Sequence, residues 1–286
     1  MNEINQIINK LFQTDLGYKY ILNKIRTIMP YLKINEKNLE NFTVQKIDYE
    51  YCVLYNFIGD YIAKENTIKI FLDLQDLGID EKDIVEIFTH EFIHLLTSKY
   101  TQKGTLIEGL NTRNNEKTDS IFLGLNEGIT QMIAEDILNA KKINAYPFQT
   151  NISRKLSLII GKERLIELYS KHDTKGLMQE ITKIDNTIDV EAFIKQVNSL
   201  HTFTSGADDI EMKGIGTQIE QTLIDLYIKS GIQKDEDFSK LIIDEDTARN
   251  LAKLVPNWIY SGPDYLYYGI YPDKNSILST QSRKTK

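Results

Sequence analysis

The stretch Thr89-His90-Glu91-Phe92-Ile93-His94 constrains this chain more than any other, because it sets three ionisable side chains inside an apolar helix. From Ile84 to Leu96 the residues read Ile-Val-Glu-Ile-Phe-Thr-His-Glu-Phe-Ile-His-Leu-Leu. Apolar side chains at Ile84, Val85, Ile87, Phe88, Phe92, Ile93, Leu95 and Leu96 wrap most of the circumference, and a helix that is apolar nearly all round is a buried one. Burying two imidazoles and a carboxylate there costs on the order of several kcal/mol unless each finds a partner. Histidines four positions apart lie one turn above each other on a helix, close enough to share one metal ion. The glutamate beside the first histidine can hold a water at that ion and take its proton. The competing arrangement is a pair of hydrogen-bonded core histidines with the glutamate surfacing at the helix edge.

The helix has a clear start. Asp80 is the expected N-cap, and Glu81 and Asp83 place negative charge in the first turn, where the helix dipole favours it. Upstream, 42–47, 51–57 and 67–73 are rich in β-branched and aromatic residues and predict three strands. The expected class is therefore α+β: a small mixed or antiparallel sheet packed on the His90–His94 helix, followed by a mainly helical lobe. Strand 67–73 is the expected sheet edge. A helix precedes the sheet over 16–31, and short helices are predicted over 152–160, 163–172, 175–184 and 190–200, broken at Gly161, Asp173 and Asp185. Beyond a boundary near Gly206, Ile219, Leu223, Leu226 and Tyr227 outline another helix, and 247–254 a further one.

A catalytic metal site takes three protein ligands and leaves one position open. After His94 the chain reads Leu-Leu-Thr-Ser-Lys-Tyr-Thr-Gln-Lys, with no third histidine at short spacing. His172 and His201 sit in polar helical stretches and read as solvated. In the stretch 125–135, Ile129, Met132 and Ile133, continued by Ile137, follow helical spacing and predict a second amphipathic helix with Glu127 and Gln131 on a shared face. Glu127 is the expected third ligand.

His-Glu-x-x-His followed by Asn126-Glu127 at the start of a second helix resembles the gluzincin metallopeptidases, the thermolysin-like group. Glu127 lies 33 positions after His94 (127 − 94), and the resemblance spans roughly 67–180. The form Asn126-Glu127-Gly128-x-Thr130 is also similar to bacterial zinc-peptidase sequences. The resemblance implies a zincin-like fold, one zinc ion per chain on His90, His94 and Glu127, and Glu91 as general base in peptide-bond hydrolysis. A hairpin would fill 104–124, turning at Asn114-Asn115. The family carries an acidic residue four positions after the ligand glutamate, where it orients the first histidine. This chain has Gln131 there, a neutral group whose carbonyl oxygen can still accept an imidazole N–H. Asn126 would stand behind the ligands with it. Tyr146 is the oxyanion candidate, with Tyr260, Tyr265, Tyr267 and Tyr268 as others.

The resemblance sets a domain over 1–205, its α+β part about 1–100 and its helical part about 125–205, then a helical region over 206–272 and a flexible tail over 273–286. A net charge of −7 and a pI near 5.3 argue against nucleic acid or an anionic membrane as partner, and the resemblance implies a peptide or protein substrate. The single Cys52 excludes an intramolecular disulfide. With no stretch of ~18–20 apolar residues and no signal-peptide pattern at the start, the expected compartment is the cytoplasm, or outside the cell where a leader has been removed. The same residues also fit an inactive or non-peptidase zinc-binding protein of the same fold, or a non-enzymatic helical interaction protein.

Overall fold

The computed structural model describes residues 1–48, 58–72, 80–113, 121–139, 146–202, 209–232 and 235–241. It is a mixed α+β protein with two small three-stranded sheets and otherwise helices. Two compact units emerge: Met1–Ser120, Thr130–Lys141 and Tyr169–His172 form the first, and Ile121–Ile129, Lys142–Leu168 and Asp173–Lys286 the second.

The first unit opens with helices α1 (Asn2–Phe12) and α2 (Tyr18–Ile28), which bury Ile4 and Ile8, and Ile21, Leu22 and Ile25. Strands β1 (Thr43–Ile47), β2 (Gly59–Ile62) and β3 (Thr67–Phe71) form a sheet in the order β1-β3-β2, with β1 parallel and β2 antiparallel to β3. The strand expected at the sheet edge is thus its centre. Thr67, Ile68, Ile70 and Phe71 are all buried, and so near-continuous a buried run suits a strand paired on both sides. Among the described residues the edges are β1 and β2. The expected strand over 51–57 lies outside the described residues.

Helix α3 (Glu81–Thr97) packs on β2 and β3. Its Phe92 ring meets Phe88, Phe42 and Tyr18 at centroid distances of 5.4, 5.7 and 5.9 Å, an aromatic cluster that seats the helix. Every residue from Phe88 to Thr97 is buried. At its start, Asp80 accepts from the Lys82 and Asp83 amides at 2.7 and 3.0 Å, and Asp83 accepts from the Asp80 amide at 3.0 Å, closing a capping box. At its end, the Asn38 side-chain amide donates to the Leu95 and Ser98 carbonyls at 2.7 and 2.8 Å, and the Asn35 amide donates to the Leu96 carbonyl at 2.7 Å. Carbonyls that a helix end would otherwise leave unpaired are therefore satisfied. The chain continues directly into β4 (Ser98–Tyr100), which pairs with β5 (Leu106–Glu108) and, through it, β6 (Asn111–Arg113).

Helix α4 (Leu123–Leu138) is one continuous helix whose first turns belong to the second unit and whose later turns belong to the first. The amphipathic helix expected here is instead buried on all faces: Asn126, Thr130, Gln131 and Glu135 are as buried as Ile129 and Met132. Its polar residues face other polar groups rather than water.

Among the described residues the chain then forms α5 (Pro147–Ile160), α6 (Lys162–Ser170), whose last residues belong to the first unit, α7 (Thr174–Ile184), α8 (Val190–Thr202), α9 (Asp209–Ser230) and α10 (Asp235–Leu241). The expected breaks are present: Gly161 takes φ 98°, Asp173 caps α7 by accepting from the Gly176 amide at 2.8 Å, and Asp185 ends α7 while pairing with Lys229. Lys155 of α5 and Glu220 of α9 form a buried ion pair, which keeps each from an uncompensated buried charge. The expected helix over 247–254 and the tail over 273–286 lie outside the described residues. Among the described residues, no helix is long and apolar enough to cross a membrane.

The two ends of α3 give a direct stability test. Asp80→Ala should cost about 1 kcal/mol through loss of the cap. Asn38→Ala should cost about 1–3 kcal/mol, because it strips partners from carbonyls that are partly buried. Urea denaturation should show a lowered midpoint with an unchanged slope for both.

Candidate metal centre

Four-residue steps along α3 put Glu86, His90 and His94 on one face, and the same steps along α4 put Glu127, Gln131 and Glu135 on another. All six side chains are buried. His90, His94 and Glu127 each offer a donor atom, and the three donors lie within 4.8 Å of one another. The Nε2 atoms of His90 and His94 are 3.0 Å apart, with the ring centroids at 4.7 Å. Two nitrogens sharing a tetrahedral ion at 2.0–2.1 Å would stand ~3.3 Å apart.

The far side of each ring is occupied. His90 Nδ1 lies 2.9 Å from Gln131 Oε1, and His94 Nδ1 lies 2.8 Å from Glu108 Oε1. Gln131 Oε1 can only accept, so His90 Nδ1 is the nitrogen that carries the ring hydrogen, while the Glu108 carboxylate stands beside His94 Nδ1 as a charge neighbour. The Nε2 lone pair of His90 therefore faces His94 Nε2 at 3.0 Å, a contact that a hydrogen on His94 Nε2 or a cation between the two rings satisfies. The residues present therefore fit a metal ion.

Gln131 also turns its amide nitrogen to Glu86 Oε1 at 2.6 Å and towards Glu135 Oε1 at 3.4 Å. Burial, and then the nearby Glu135 carboxylate, push Glu86 up to about 8. Below the histidines, the Tyr169 hydroxyl bridges Thr130 at 2.8 Å and Thr97 at 3.3 Å, and burial keeps it in its neutral form by raising its pKa.

Glu108 is a site residue that motif spacing does not mark. It sits in β5, paired to Ser98 on one side and Asn111 on the other. A hairpin turns at Gly109-Leu110, and the expected turn at Asn114-Asn115 lies outside the described residues. Gly109 has φ 53°, as the first position of a two-residue II′ loop requires. The carbonyl of Gly109 accepts from His172 Nδ1 at 2.7 Å. His172 is thus half-buried rather than solvated, burial lowers its pKa, and its ring ties down the turn that carries Glu108. The available signal was a single acid in Leu106-Ile107-Glu108-Gly109, with apolar residues before it and a turn after it. The side chain of His201, in α8, lies outside the described residues.

Glu91 points from α3 past Gly59 of β2. A Cβ added at Gly59 would come within 2.4 Å of Ile87 Cγ2, and within 3.2 Å of Glu91 Oε1, so a larger residue there would collide with Ile87 and crowd the Glu91 carboxylate. Asn126 is fully buried, with its amide 3.4 Å from Glu127 Oε1. Tyr146 stands half-buried at the N-cap of α5, where its carbonyl accepts from the Thr150 amide at 2.8 Å. Tyr260, Tyr265, Tyr267 and Tyr268 lie outside the described residues.

No family model matches the chain, and no solved structure matches it. The chemistry of the centre is carried by these side chains alone.

The raised Glu86 has a stability signature in metal-free protein. The folded state holds this proton up to about pH 8, whereas the unfolded chain releases it near its ordinary value of 4.5. The folded state therefore binds more protons in that window, and stability falls as pH rises through it, by at most ~1.4 kcal/mol per pH unit from this group. Glu86→Gln should flatten the decline of melting temperature between pH 5 and 8; an unchanged slope would remove Glu86 as its source.

Proposed function

We propose that this chain is a zinc-dependent metallopeptidase of zincin-like fold, with His90, His94 and Glu127 as the metal ligands and Glu91 as general base. The observation that carries this is the buried group of His90, His94 and Glu127, whose donor atoms lie within 4.8 Å of one another, with the two Nε2 atoms 3.0 Å apart and an acceptor beside each Nδ1. Two imidazoles and one carboxylate, with no thiolate, suit zinc at a catalytic centre with one position left open.

When bound, zinc would act as a Lewis acid on a scissile carbonyl and lower the pKa of water. Glu91 follows His90 directly on α3 and is buried beside it, so its carboxylate would take the proton from the attacking water and return it to the leaving amine. Gly59 brings the backbone of β2 against Glu91, and β2 is a sheet edge among the described residues. An extended peptide adding to that edge would pass alongside the base. Glu108 would keep the Nε2 of His94 free for the ion, and Gln131 that of His90.

A second reading follows from Gln131. It backs His90 with a neutral amide where a carboxylate would polarise the ring more, which favours a zinc-binding protein of this fold that has lost peptidase activity or hydrolyses another bond.

Metal analysis and peptide cleavage separate these. Purified protein should hold about one zinc per chain, and His94→Ala and Glu127→Ala should each lose it. Glu91→Gln should keep the metal while peptide cleavage falls ~10²–10⁴-fold. Zinc retained with no cleavage across a peptide library points to the second reading, and no zinc at neutral pH refutes both.

A further inference from the structure

We infer that Glu86, with Glu135 beside it, sets the tautomer of His90 through the amide of Gln131 and is thereby a positioning residue of the metal centre, an inference that rests on the metal-binding reading above. The two ends of a carboxamide are nearly the same shape, so packing alone does not decide which way Gln131 turns. In the orientation present, Oε1 faces His90 Nδ1 at 2.9 Å and can only accept. The ring hydrogen is then on Nδ1, and the Nε2 lone pair faces His94. Reversed, the amide would present its NH₂ to Nδ1, which would have to accept. The ring hydrogen would move to Nε2 and block the position a metal ion needs.

Glu86 and Glu135 decide between the two. Glu86 Oε1 stands 2.6 Å from Gln131 Nε2, and Glu135 Oε1 3.4 Å from the same atom. In the orientation present the NH₂ is met by an acceptor oxygen of each acid, whereas the reversed amide would turn its carbonyl oxygen to the oxygen of Glu135 and would need a hydrogen on Glu86 to be met at all. Glu86 acts on His90 only through Gln131, one helical turn from the histidine on α3 and across from it on α4. The acid that the gluzincin pattern would place at position 131 is here replaced by an amide with two acids behind it.

The test reads the ring nitrogens of His90 by long-range proton–nitrogen NMR in the metal-free full chain, and zinc affinity by competition with a chelator. Wild type should carry the hydrogen on Nδ1. Glu86→Met, which keeps the volume and removes the acceptor, should lose that single tautomer and weaken zinc binding about 10–100-fold. Glu86→Gln, which restores an acceptor oxygen beside the intact Glu135, should recover both. Gln131→Met breaks the same link at its middle and should match Glu86→Met, which keeps the test available if either variant fails to fold. A folded Glu86→Met or Gln131→Met with the wild-type tautomer and affinity overturns the inference. So does Glu86→Gln as damaged as Glu86→Met, because the acceptor would then not be what matters. A wild type that takes up no zinc refutes the metal reading instead, and the Nδ1 signal of metal-free protein still decides the relay.

Discussion

Two imidazole nitrogens facing each other at 3.0 Å inside a buried helix are the constraint on which the rest of the centre depends. Such a contact is satisfied by a hydrogen on one nitrogen or by a cation between the two, and each neighbouring element acts to hold it. The sheet and the aromatic cluster around Phe92 bury α3. Asp80 at one end and Asn35 and Asn38 at the other keep its two ends satisfied, so His90 and His94 sit on a helix without fraying turns next to them. Gln131 then fixes which nitrogen of His90 carries the hydrogen, and Glu108 stands beside Nδ1 of His94. The result is a buried donor set that could hold a cation.

The two histidines are held differently. His94 is backed directly by a carboxylate on a short hairpin, and the hairpin is pinned by His172. His90 is backed by an amide, with the acids Glu86 and Glu135 one contact further away. The centre is thus asymmetric: a carboxylate stands beside His94 Nδ1, whereas His90 Nδ1 meets an amide that leads on to two acids.

Much of this was legible in the residues, and the remainder was not for definable reasons. Local signals read well. The Asp80 N-cap, the helix breaks at Gly161, Asp173 and Asp185, and the burial of α3 depend on neighbours within a few positions. The grouping of His90 and His94 follows from helical spacing. Long-range pairing read poorly. The centre position of β3 depends on β1 joining it in parallel from across the chain, which strand composition does not encode. Glu108 reaches His94 only because β4 continues directly from α3 and folds back at Gly109-Leu110. The burial of α4 was hidden for a similar reason: Gln131 and Glu135 look solvent-facing until Glu86 and His90 are set opposite them.

The most direct measurement on the central claim is X-ray absorption at the zinc edge of protein loaded with one equivalent. The account predicts a four-coordinate shell of nitrogen and oxygen at ~2.0–2.1 Å, with outer scattering from two imidazoles. A shell containing sulfur from Cys52, or one with no imidazole scattering, would contradict it.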